Sequence, residues 1–489
     1  MTARPSQGLR SQTIYYADRD TDDDSQMENN ERKSFYDVQS RSVMAGMFIF
    51  MSGGMKIIEG LFIYNVRYPK ISPTLHDLSA WFIAVILGGL VGAFSVPLTT
   101  KRSIYLVSSL LVIAGGIVCS VSNNHIAQIG AAYLDGIAFG VTMVATIIAG
   151  GEVADNNIRG KVVTSESLGI STGMLIYTMF QSVYGTVFSA PARFTLMQVQ
   201  GLLSLIFGVI AFGTSFLAVD SSIHFIKRYD DKNALYSLQV LHNEDKPSTR
   251  TLDTLYEMKQ LVQEDKSRSW TENFTQGLIP FFKISILRTF MTLSYTFPIV
   301  YAFVLGETIG YKISYGLIFF GLSRWIATLF TNAFLVEKLG RKPTLMISMV
   351  TAGALLIALG SLYHGENNLR KSNLMIAGAS VSIALQFFCG LGQGISTVYM
   401  AEAFSTSLKP LFIFLIMFLE NIAVVIAYGS LQMKPIGYES VVYPTFYYAL
   451  GGGFLSLFFI VWVLLPETKN LSLRKAHHKF LHFFNYSFW

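Results

Sequence analysis

The sequence predicts an all-α membrane protein whose twelve transmembrane helices form two pseudo-symmetric halves of six, joined by a helical linker on the cytoplasmic side. Hydrophobic residues make up 52% of the 489 residues and charged residues only 14%, which is not the composition of an ordinary soluble domain. The mean hydropathy is +0.44. Apolar stretches of roughly 20 residues, each long enough to cross about 30 Å of hydrocarbon, recur along the chain.

The apolar stretches form two sets of six. The first set is predicted at 42–64, 78–98, 103–121, 126–149, 164–186 and 196–218, and the second at 281–305, 313–336, 343–363, 374–400, 411–431 and 443–465. We therefore divide the chain into a disordered N-terminal tail (1–41), a first half (42–218), a helical linker (219–280), a second half (281–466) and a C-terminal tail (467–489). The basic and aromatic C-terminal tail is predicted to lie on the membrane surface.

Two polar hinges repeat the same spacing of charges. Glu152 is followed seven residues later by Arg159, and Glu402 is followed seven residues later by Lys409. The offset between the hinges is the same for both members, since 402 − 152 = 250 and 409 − 159 = 250. This duplication predicts a two-fold pseudo-repeat, which transporter folds use to alternate access to a central site.

Several other classes of protein are excluded by the composition. The net charge of +6 comes from basic residues scattered over short loops, so we expect no binding to nucleic acid. Cys119 and Cys389 both lie in apolar runs, which argues against a disulfide scaffold. The chain has no phosphate-binding Gly-x-x-x-x-Gly-Lys-Ser/Thr loop and no zinc-ligand spacing. We therefore expect no enzyme activity, no cofactor and no metal; the partners expected are the lipid bilayer and a small solute, and the chain is expected to be a monomer.

The distribution of Lys and Arg predicts the orientation in the membrane. One side is expected to carry Lys101, Arg102, Arg159, Lys161, Lys338, Arg341, Lys342, Lys409, Lys469, Arg474, Lys475 and Lys479, and the other Arg67, Lys70, Arg193, Lys312, Arg370, Lys371 and Lys434. Both termini and the linker are therefore placed in the cytoplasm, with the plasma membrane as the expected location. The sequons at Asn273, Asn470 and Asn485 fall on the same side and are expected to stay unglycosylated.

Four motifs in order resemble those of a known family. They are Glu337-Lys338-Leu339-Gly340-Arg341-Lys342 after the eighth segment, Pro466-Glu467-Thr468-Lys469 after the twelfth, the Glu152, Arg159 and Gly160 set between the fourth and fifth, and the glycines Gly136, Gly140 and Gly173. Over about residues 42–470 the chain is similar to the sugar-porter branch of the major facilitator superfamily, and most of all to insect trehalose and glucose carriers.

The resemblance implies a cytoplasmic gate in which acids and bases pair when the protein is open to the outside. The gate residues are Glu152, Arg159, Glu337, Arg341, Glu402, Lys409 and Glu467. Carboxylates and guanidinium groups at helix ends can break and remake such bonds without burying an unpaired ion. The alternative is that these charges only set the topology, and the duplicated spacing favours the gate.

The sequence departs from the family at several positions. The first-half loop reads Pro97-Leu98-Thr99-Thr100-Lys101-Arg102 and lacks the acid and the glycine of its second-half counterpart. The amides that would contact a sugar are replaced by Ser167 in the fifth segment and by Met291-Thr292 in the seventh. The eleventh segment has Glu420-Asn421. Each unpaired buried hydroxyl costs about 1–3 kcal/mol, so the loss of amides matters for a sugar.

Charged residues inside the apolar segments are candidates for the site, because such groups are costly in a membrane unless they are paired or wet. Lys56 and Glu59 can form a local ion pair or contact the solute, and together with Asp135 they are candidates for a charge relay. Arg324 can form a fixed bridge with Glu420 or Glu166, or these groups can bind a ligand or a proton. The proposed solute-binding set is Glu166, Ser167, Thr292, Arg324, Gln386, Gln393, Thr397, Glu420 and Asn421.

In the tenth segment, Gln386, Cys389, Gln393 and Thr397 form a polar stripe at helical spacing. A cavity wall is favoured over hydrogen bonding between helices, because the rest of the segment is apolar.

The leading hypothesis for function is a secondary-active or facilitative transporter that moves a small polar solute, by family a sugar, by alternating access. One alternative keeps the fold but changes the solute to a charged or zwitterionic organic molecule, because amides are lost and charges gained. Another is a sensor-like relative that does not transport. Proton coupling is left open, since a lysine at position 56 stands where proton-linked relatives carry an acid.

Overall fold

A computed structural model describes residues 38–62, 74–122, 124–187, 195–311, 316–432 and 439–482, and within these ranges the secondary structure is entirely helical. The predicted N-terminal tail up to residue 37 and the sequon at Asn485 lie outside the described residues. Ten helical stretches in the described part are long and apolar enough to cross a membrane. The chain is a multi-pass membrane protein.

The long helices of the described ranges are labelled in chain order. They are α1 Met44–Phe62, α2 Leu75–Leu98, α3 Lys101–Val121, α4 His125–Val153, α5 Arg159–Val187, α6 Leu196–Thr214, α7 Trp270–Leu293, α8 Leu317–Phe330, α9 Arg341–Tyr363, α10 Ser372–Glu402, α11 Lys409–Ala427 and α12 Glu439–Leu464. Shorter helices include Val38–Arg41, Ser222–Lys227, Asp231–His242, Thr249–Ser267, Phe297–Leu305 and Leu473–Leu481. π-Helical turns at Gly306–Tyr311 and Thr331–Leu335 follow the Phe297–Leu305 helix and α8.

Side-chain caps fix where several of the long helices begin. Thr74 and Thr195 each form a reciprocal capping box with the residue three positions on, at the starts of α2 and α6. Thr100, Asn124 and Ser269 accept a backbone N–H at the starts of α3, α4 and α7. These bonds satisfy donors that have no partner within a helix, so in each of these five helices a polar residue fixes where the helix begins.

Two helices begin well before their apolar runs. Helix α5 starts at Arg159 instead of 164, and α7 starts at Trp270 instead of 281, with Pro280 inside the helix. The prediction used the edge of the apolar run as the helix start. Backbone hydrogen bonding continues past that edge, and a proline can be accommodated within a long helix.

The helices pack in pairs that recur along the chain. In the first six, α1 packs on α5, α2 on α4 and α3 on α6; in the second six, α7 packs on α11, α8 on α10 and α9 on α12. Contacts between the two sets run from α2 to α11, from α5 to α8 and from α4 to α10. Close approach needs glycine in places: a Cβ at Gly173 of α5 would lie 2.0 Å from the Met51 carbonyl oxygen of α1.

The central polar segment folds into helices that pack together at one end of the bundle. Leu238, Leu255, Leu261 and Val262 from these helices form a small apolar core with Leu473. We call this the linker end; α4 and α10 finish there, and α5 and α11 begin there.

The C-terminal helix Leu473–Leu481 also lies at the linker end. Its Leu473, Ala476, His477 and Phe480 are buried against the protein. The predicted position of the tail on the membrane surface was therefore wrong for this helix, because its apolar face has a protein partner.

Candidate functional site

At the linker end, the base of one hinge lies next to the acid of the other hinge. The Nη1 atom of Arg159, at the start of α5, lies 3.6 Å from Oε1 of Glu402 at the end of α10. The Nη2 atom of Arg341 lies 3.6 Å from the same oxygen, and its Nη1 lies 3.7 Å from Glu337. Glu402 and Arg341 are fully buried. The base of the first hinge thus meets the acid of the second, which links α5 to α10.

Gly151 and Ala401 lie against each other where α4 meets α10. A Cβ at Gly151 would lie 3.1 Å from the Cβ of Ala401. The two positions differ by the same offset as the hinges, since 401 − 151 = 250. Glu152, beside Gly151, is acted on by the positive charges of Lys101, Lys409 and Lys227. Lys409 itself donates to the Ala401 carbonyl oxygen at 2.8 Å.

Glu467 caps the start of α9. Its carboxylate accepts the backbone N–H groups of Arg341 at 3.2 Å and Lys342 at 2.9 Å. Gly340, the residue before the helix, has a φ of 105°, which favours glycine. Gly340 of the motif after the eighth segment and Glu467 of the motif after the twelfth therefore form one structure, which is a helix N-terminus that holds a carboxylate.

The central helices hold the first hinge through Asp155. Its carboxylate accepts hydrogen bonds from Arg250 at 2.9 Å and Gln39 at 3.1 Å, and lies 3.1 Å from Nε2 of His242. Burial alone would raise the pKa of Asp155, but the bonds and charges of His242, Gln39 and Arg250 outweigh burial and hold the pKa below its ordinary value. Asp155 therefore stays ionised and connects the first hinge to the linker.

The second hinge is held by its backbone. The Lys227 ammonium donates to the Thr406 carbonyl oxygen at 2.5 Å, and the Thr406 N–H donates to Asp265 at 2.6 Å. Burial lowers the pKa of Lys227, although Glu152 and Asp265 act in the opposite direction. Both backbone polar groups of Thr406 are thus held by linker side chains.

An ion pair that the sequence interpretation missed lies in the middle of the bundle. Arg288 of α7 donates to Glu420 of α11 through Nε at 2.8 Å and Nη2 at 3.1 Å, a bidentate pair. Arg288 lies in the predicted segment 281–305, so the rule that singled out the other intramembrane charges also applies to it. Thr292 donates to Glu420 at 3.4 Å.

Thr397 connects this pair to the first six helices. Its hydroxyl accepts from Nη1 of Arg288 at 3.0 Å and donates to Oε2 of Glu166 at 3.0 Å. Ser167 donates to the same oxygen at 2.6 Å. The structure therefore brings Glu166, Ser167, Thr292, Thr397 and Glu420 together through Arg288. Asn421 instead bonds to the Met417 carbonyl of its own helix, 2.7 Å away.

Arg324 of α8 has different neighbours from those predicted. Its Nη1 donates to Gln386 at 2.7 Å, its Nη2 donates to Gln393, and its guanidinium lies 4.7 Å from the ring centre of Tyr295. In the described part of the chain, Arg324 makes no ion pair with Glu420 or Glu166. Glu420 is instead paired with Arg288. Gln386 and Gln393 of the α10 stripe bond to Arg324 of α8, so these two residues form hydrogen bonds between helices in this conformation.

The first six helices hold a further group of charges towards the opposite end. Nζ of Lys56 lies 2.6 Å from Oε2 of Glu59, which is the local ion pair considered from the sequence. Gln200 donates to the same oxygen at 2.7 Å. Asp135 accepts from Ser52 at 2.5 Å and Trp81 at 2.9 Å. Lys56 and Glu59 line a cavity of about 60 Å³. Such a space suits a few waters and is far smaller than a pocket for an organic ligand.

Within the residues described, no group of three His, Cys, Asp or Glu side chains is placed to hold a metal ion. The arrangement contains buried charges, hydrogen-bonded amides and hydroxyls that link separate helices. It can bind and orient a polar molecule.

Comparisons with known proteins agree with this arrangement. The family profile described as "Sugar (and other) transporter" matches residues 31–480. The chain belongs to this sugar transporter family. It is 24% identical to the Sugar transporter ERD6-like 17 of Arabidopsis thaliana over 432 residues, covering 84% of this chain and 85% of the relative. It is 24% identical to the Major myo-inositol transporter IolT of Bacillus subtilis, covering 82% and 84%. As a member of this family, the chain is a transporter and not an enzyme.

Solved structures show the same fold. The proton:xylose symporter XylE, a major facilitator superfamily protein bound to 6-bromo-6-deoxy-D-glucose, matches with a TM-score of 0.72 at 15% identity, covering 90% of this chain and 97% of that one. The inward-open conformation of XylE from E. coli matches with a lower TM-score, 0.58. The chain therefore has the XylE-like fold of the major facilitator superfamily, and the resemblance read from the four motifs is confirmed at the level of the sugar-porter family.

Proposed function

We propose that this protein moves a sugar or a similar small polar solute across the membrane by alternating access, with α1–α6 rocking against α7–α12. In this proposal all twelve long helices span the membrane. The pairing of α1 with α5, α2 with α4 and α3 with α6 corresponds, six helices on, to α7 with α11, α8 with α10 and α9 with α12. This correspondence supports two halves related by a pseudo-two-fold axis.

The linker end is the cytoplasmic gate in this proposal, and it is closed. Arg159, Arg341 and Glu402 are at most 4% exposed and join both halves. The lower similarity to the inward-open form of XylE supports the same state. Opening would separate Arg159 from Glu402 and expose both to water, which keeps the cost of breaking the pair low.

The orientation of the chain in the membrane follows from assigning the linker end to the cytoplasmic gate. With the linker end in the cytoplasm, both termini are cytoplasmic, in keeping with the Lys and Arg bias of the loops. The plasma membrane and a monomeric state are part of the proposal, as is the closer likeness to insect trehalose and glucose carriers.

The solute site is proposed where the two halves meet in mid-bundle. Glu166 of the first half and Thr397, Arg288 and Glu420 of the second form one hydrogen-bonded chain. The sugar and inositol transporters among its relatives support a polyhydroxylated solute of similar size. Lys56, Glu59 and Asp135 lie on helices of the first half and are proposed as a separate charge relay.

The observation that carries the proposal is the buried link between Arg159 and Glu402 across the halves. Its test is solute uptake into liposomes containing the purified protein. Saturable hexose or disaccharide uptake should fall at least tenfold in Arg341→Ala and Glu402→Ala, because each removes one charge from the buried cluster of Arg159, Glu402 and Arg341. Arg370→Ala, at an exposed site, is the matched control and should keep full uptake.

A sensor that binds without transport is a second candidate. The chain is 22% identical to the High glucose sensor RGT2 of Saccharomyces cerevisiae, over 75% of this chain and 51% of that protein. A sugar that raises the melting temperature of the purified protein while no flux is measured in liposomes would favour the sensor.

A further inference from the structure

The buried charges of the central site do not balance locally. Arg288 and Glu420 neutralise each other in a bidentate pair. Arg324, only 2% exposed, has three neutral neighbours, which are two glutamine carbonyl groups and the ring of Tyr295. No acid lies within ion-pairing distance of it in the described ranges, and its Nε has no hydrogen-bond partner there. A buried cation is therefore left without a counter-ion.

Glu166 is the opposite case. It is fully buried, and its Oε2 accepts from the hydroxyl groups of Ser167 and Thr397. Its Oε1 has no partner among the described residues, and no Lys or Arg there lies within 4 Å. One carboxylate oxygen is thus free to accept from a donor that the protein does not supply.

The two unmatched charges bond to neighbouring turns of α10. Arg324 bonds to Gln393, and Glu166 bonds to Thr397, which is four residues further along the same helix. Residues four apart share one face and are separated by about one turn, roughly 5.4 Å. A cation from α8 and an anion from α5 therefore approach the same face of α10 about one turn apart.

A neutral sugar does not complement this arrangement. Its hydroxyl groups pair best with side-chain amides, and the carbonyl oxygens of Gln386 and Gln393 are already occupied by Arg324. A singly charged solute would match one of the two ions and leave the other unmatched. A solute with one cationic and one anionic group matches both and brings no net charge into the membrane.

We infer that the preferred solute is a small zwitterion, whose ammonium group binds Glu166 and whose carboxylate or other single anionic group binds Arg324. This inference rests on the proposed transport function and changes the preferred solute from a sugar to a zwitterion. The spacing of about one helical turn suits charges a few bonds apart, as in amino acids.

The test is a competition assay with unmodified protein in liposomes, which does not depend on the folding of any variant. Alanine, γ-aminobutyrate and glycine betaine are compared with glucose and myo-inositol as solutes and as competitors. We expect saturable exchange of at least one zwitterion and at least tenfold weaker competition by both neutral compounds. Hexose exchange that no zwitterion inhibits would overturn the inference and leave the transport proposal standing.

Charge variants then assign the two ends of the solute. Glu166→Gln should lose at least tenfold in zwitterion exchange and gain relative preference for butyrate, and Arg324→Gln should gain relative preference for butylamine. Arg370→Gln is the control and should behave as the unmodified protein. If Glu166→Gln keeps zwitterion exchange and loses only accumulation driven by a pH gradient, Glu166 carries a proton and the inference fails.

If no solute is transported, the transport proposal fails by itself, and binding decides the inference. A rise in melting temperature with γ-aminobutyrate that disappears in Glu166→Gln and Arg324→Gln would support the assigned site. No shift with any of the three zwitterions would refute it.

Discussion

Arg288 and Glu420 bury opposite charges between α7 and α11, and their energetics can be tested directly. Removing one partner of a buried pair leaves an uncompensated ion and typically costs about 3–5 kcal/mol. We expect Arg288→Gln to lower the free energy of unfolding by about 3 kcal/mol. The double variant with Glu420→Gln should lose less than the sum of the single variants, as measured by thermal melting in detergent micelles.

The control for this cycle is Arg370→Gln with Glu420→Gln, since Arg370 is exposed and distant in sequence from the pair. In this control pair, the stability losses of the two single variants should add up to that of the double variant. Additive losses in the Arg288 cycle as well would mean that the bidentate contact contributes no coupling.

Several individual residues of the site could be found from the sequence, but their partners could not. The duplicated spacing identified Glu152, Arg159, Glu402 and Lys409, because spacing along the chain is visible without a structure. That Arg159 meets Glu402 depends on which helix ends cross, and this is set by tertiary packing. Likewise, the rule for intramembrane charges identified Glu420 but not its partner on α7.

The C-terminal helix Leu473–Leu481 is an element whose docking should depend on pH. Burial lowers the pKa of His477 below its ordinary 6.5; the Ala403 carbonyl and Asp265 act against this, while Lys409 and His478 add to it. As pH falls, His477 therefore takes up a proton at a higher pH in the undocked helix than in the docked helix. Docking should be strongest above about pH 6.5 and weaken below it, by up to about tenfold per pH unit.

Hydrogen exchange of the amides in Leu473–Leu481, corrected for intrinsic rates, measures this docking. Protection should fall between pH 7 and pH 5 in the unmodified protein and in His364→Gln, a control at an exposed site. His477→Gln should remove the pH dependence. Protection that is equal at both pH values in the unmodified protein would contradict a role for His477.

The helices of the linker hold the second hinge through Asp265, which can be removed separately. Asp265→Ala deletes the acceptor of the Thr406 N–H, a bond to a charged group. We expect a loss of about 2 kcal/mol locally, which corresponds to roughly 30-fold faster exchange of the Thr406 amide. Asp253→Ala, at an exposed position of the same helix, should leave that amide unchanged.

At the level of elements, the sequence predicted which apolar runs become helices better than where the helices end. The starts of α5 and α7 lie in polar sequence, where hydrophobicity carries no signal and backbone hydrogen bonds continue the helix. The C-terminal helix was misplaced for a related reason. An amphipathic pattern shows that one face is covered but does not say whether lipid or protein covers it.

At the scale of the whole molecule, the contact of Gly151 with Ala401 marks where the two proposed halves meet at the linker end. In an arrangement with a pseudo-two-fold axis, equivalent residues can touch only where they lie on the axis, and these two positions are equivalent under the offset of 250. In the proposed rocking motion, opening of the linker end would therefore separate α4 from α10 at this point.

A disulfide across this contact should stop the proposed rocking motion. The Cβ atoms of positions 151 and 401 would lie 3.1 Å apart, close to the roughly 3.5–4.5 Å of a disulfide, so Gly151→Cys with Ala401→Cys needs only a small shift. We expect oxidation of the double variant to abolish solute uptake and reduction to restore it. Each single variant should be insensitive to oxidant, since the native Cys119 and Cys389 are buried. Unchanged uptake in the fully oxidised double variant would mean that the halves do not separate at the linker end during transport.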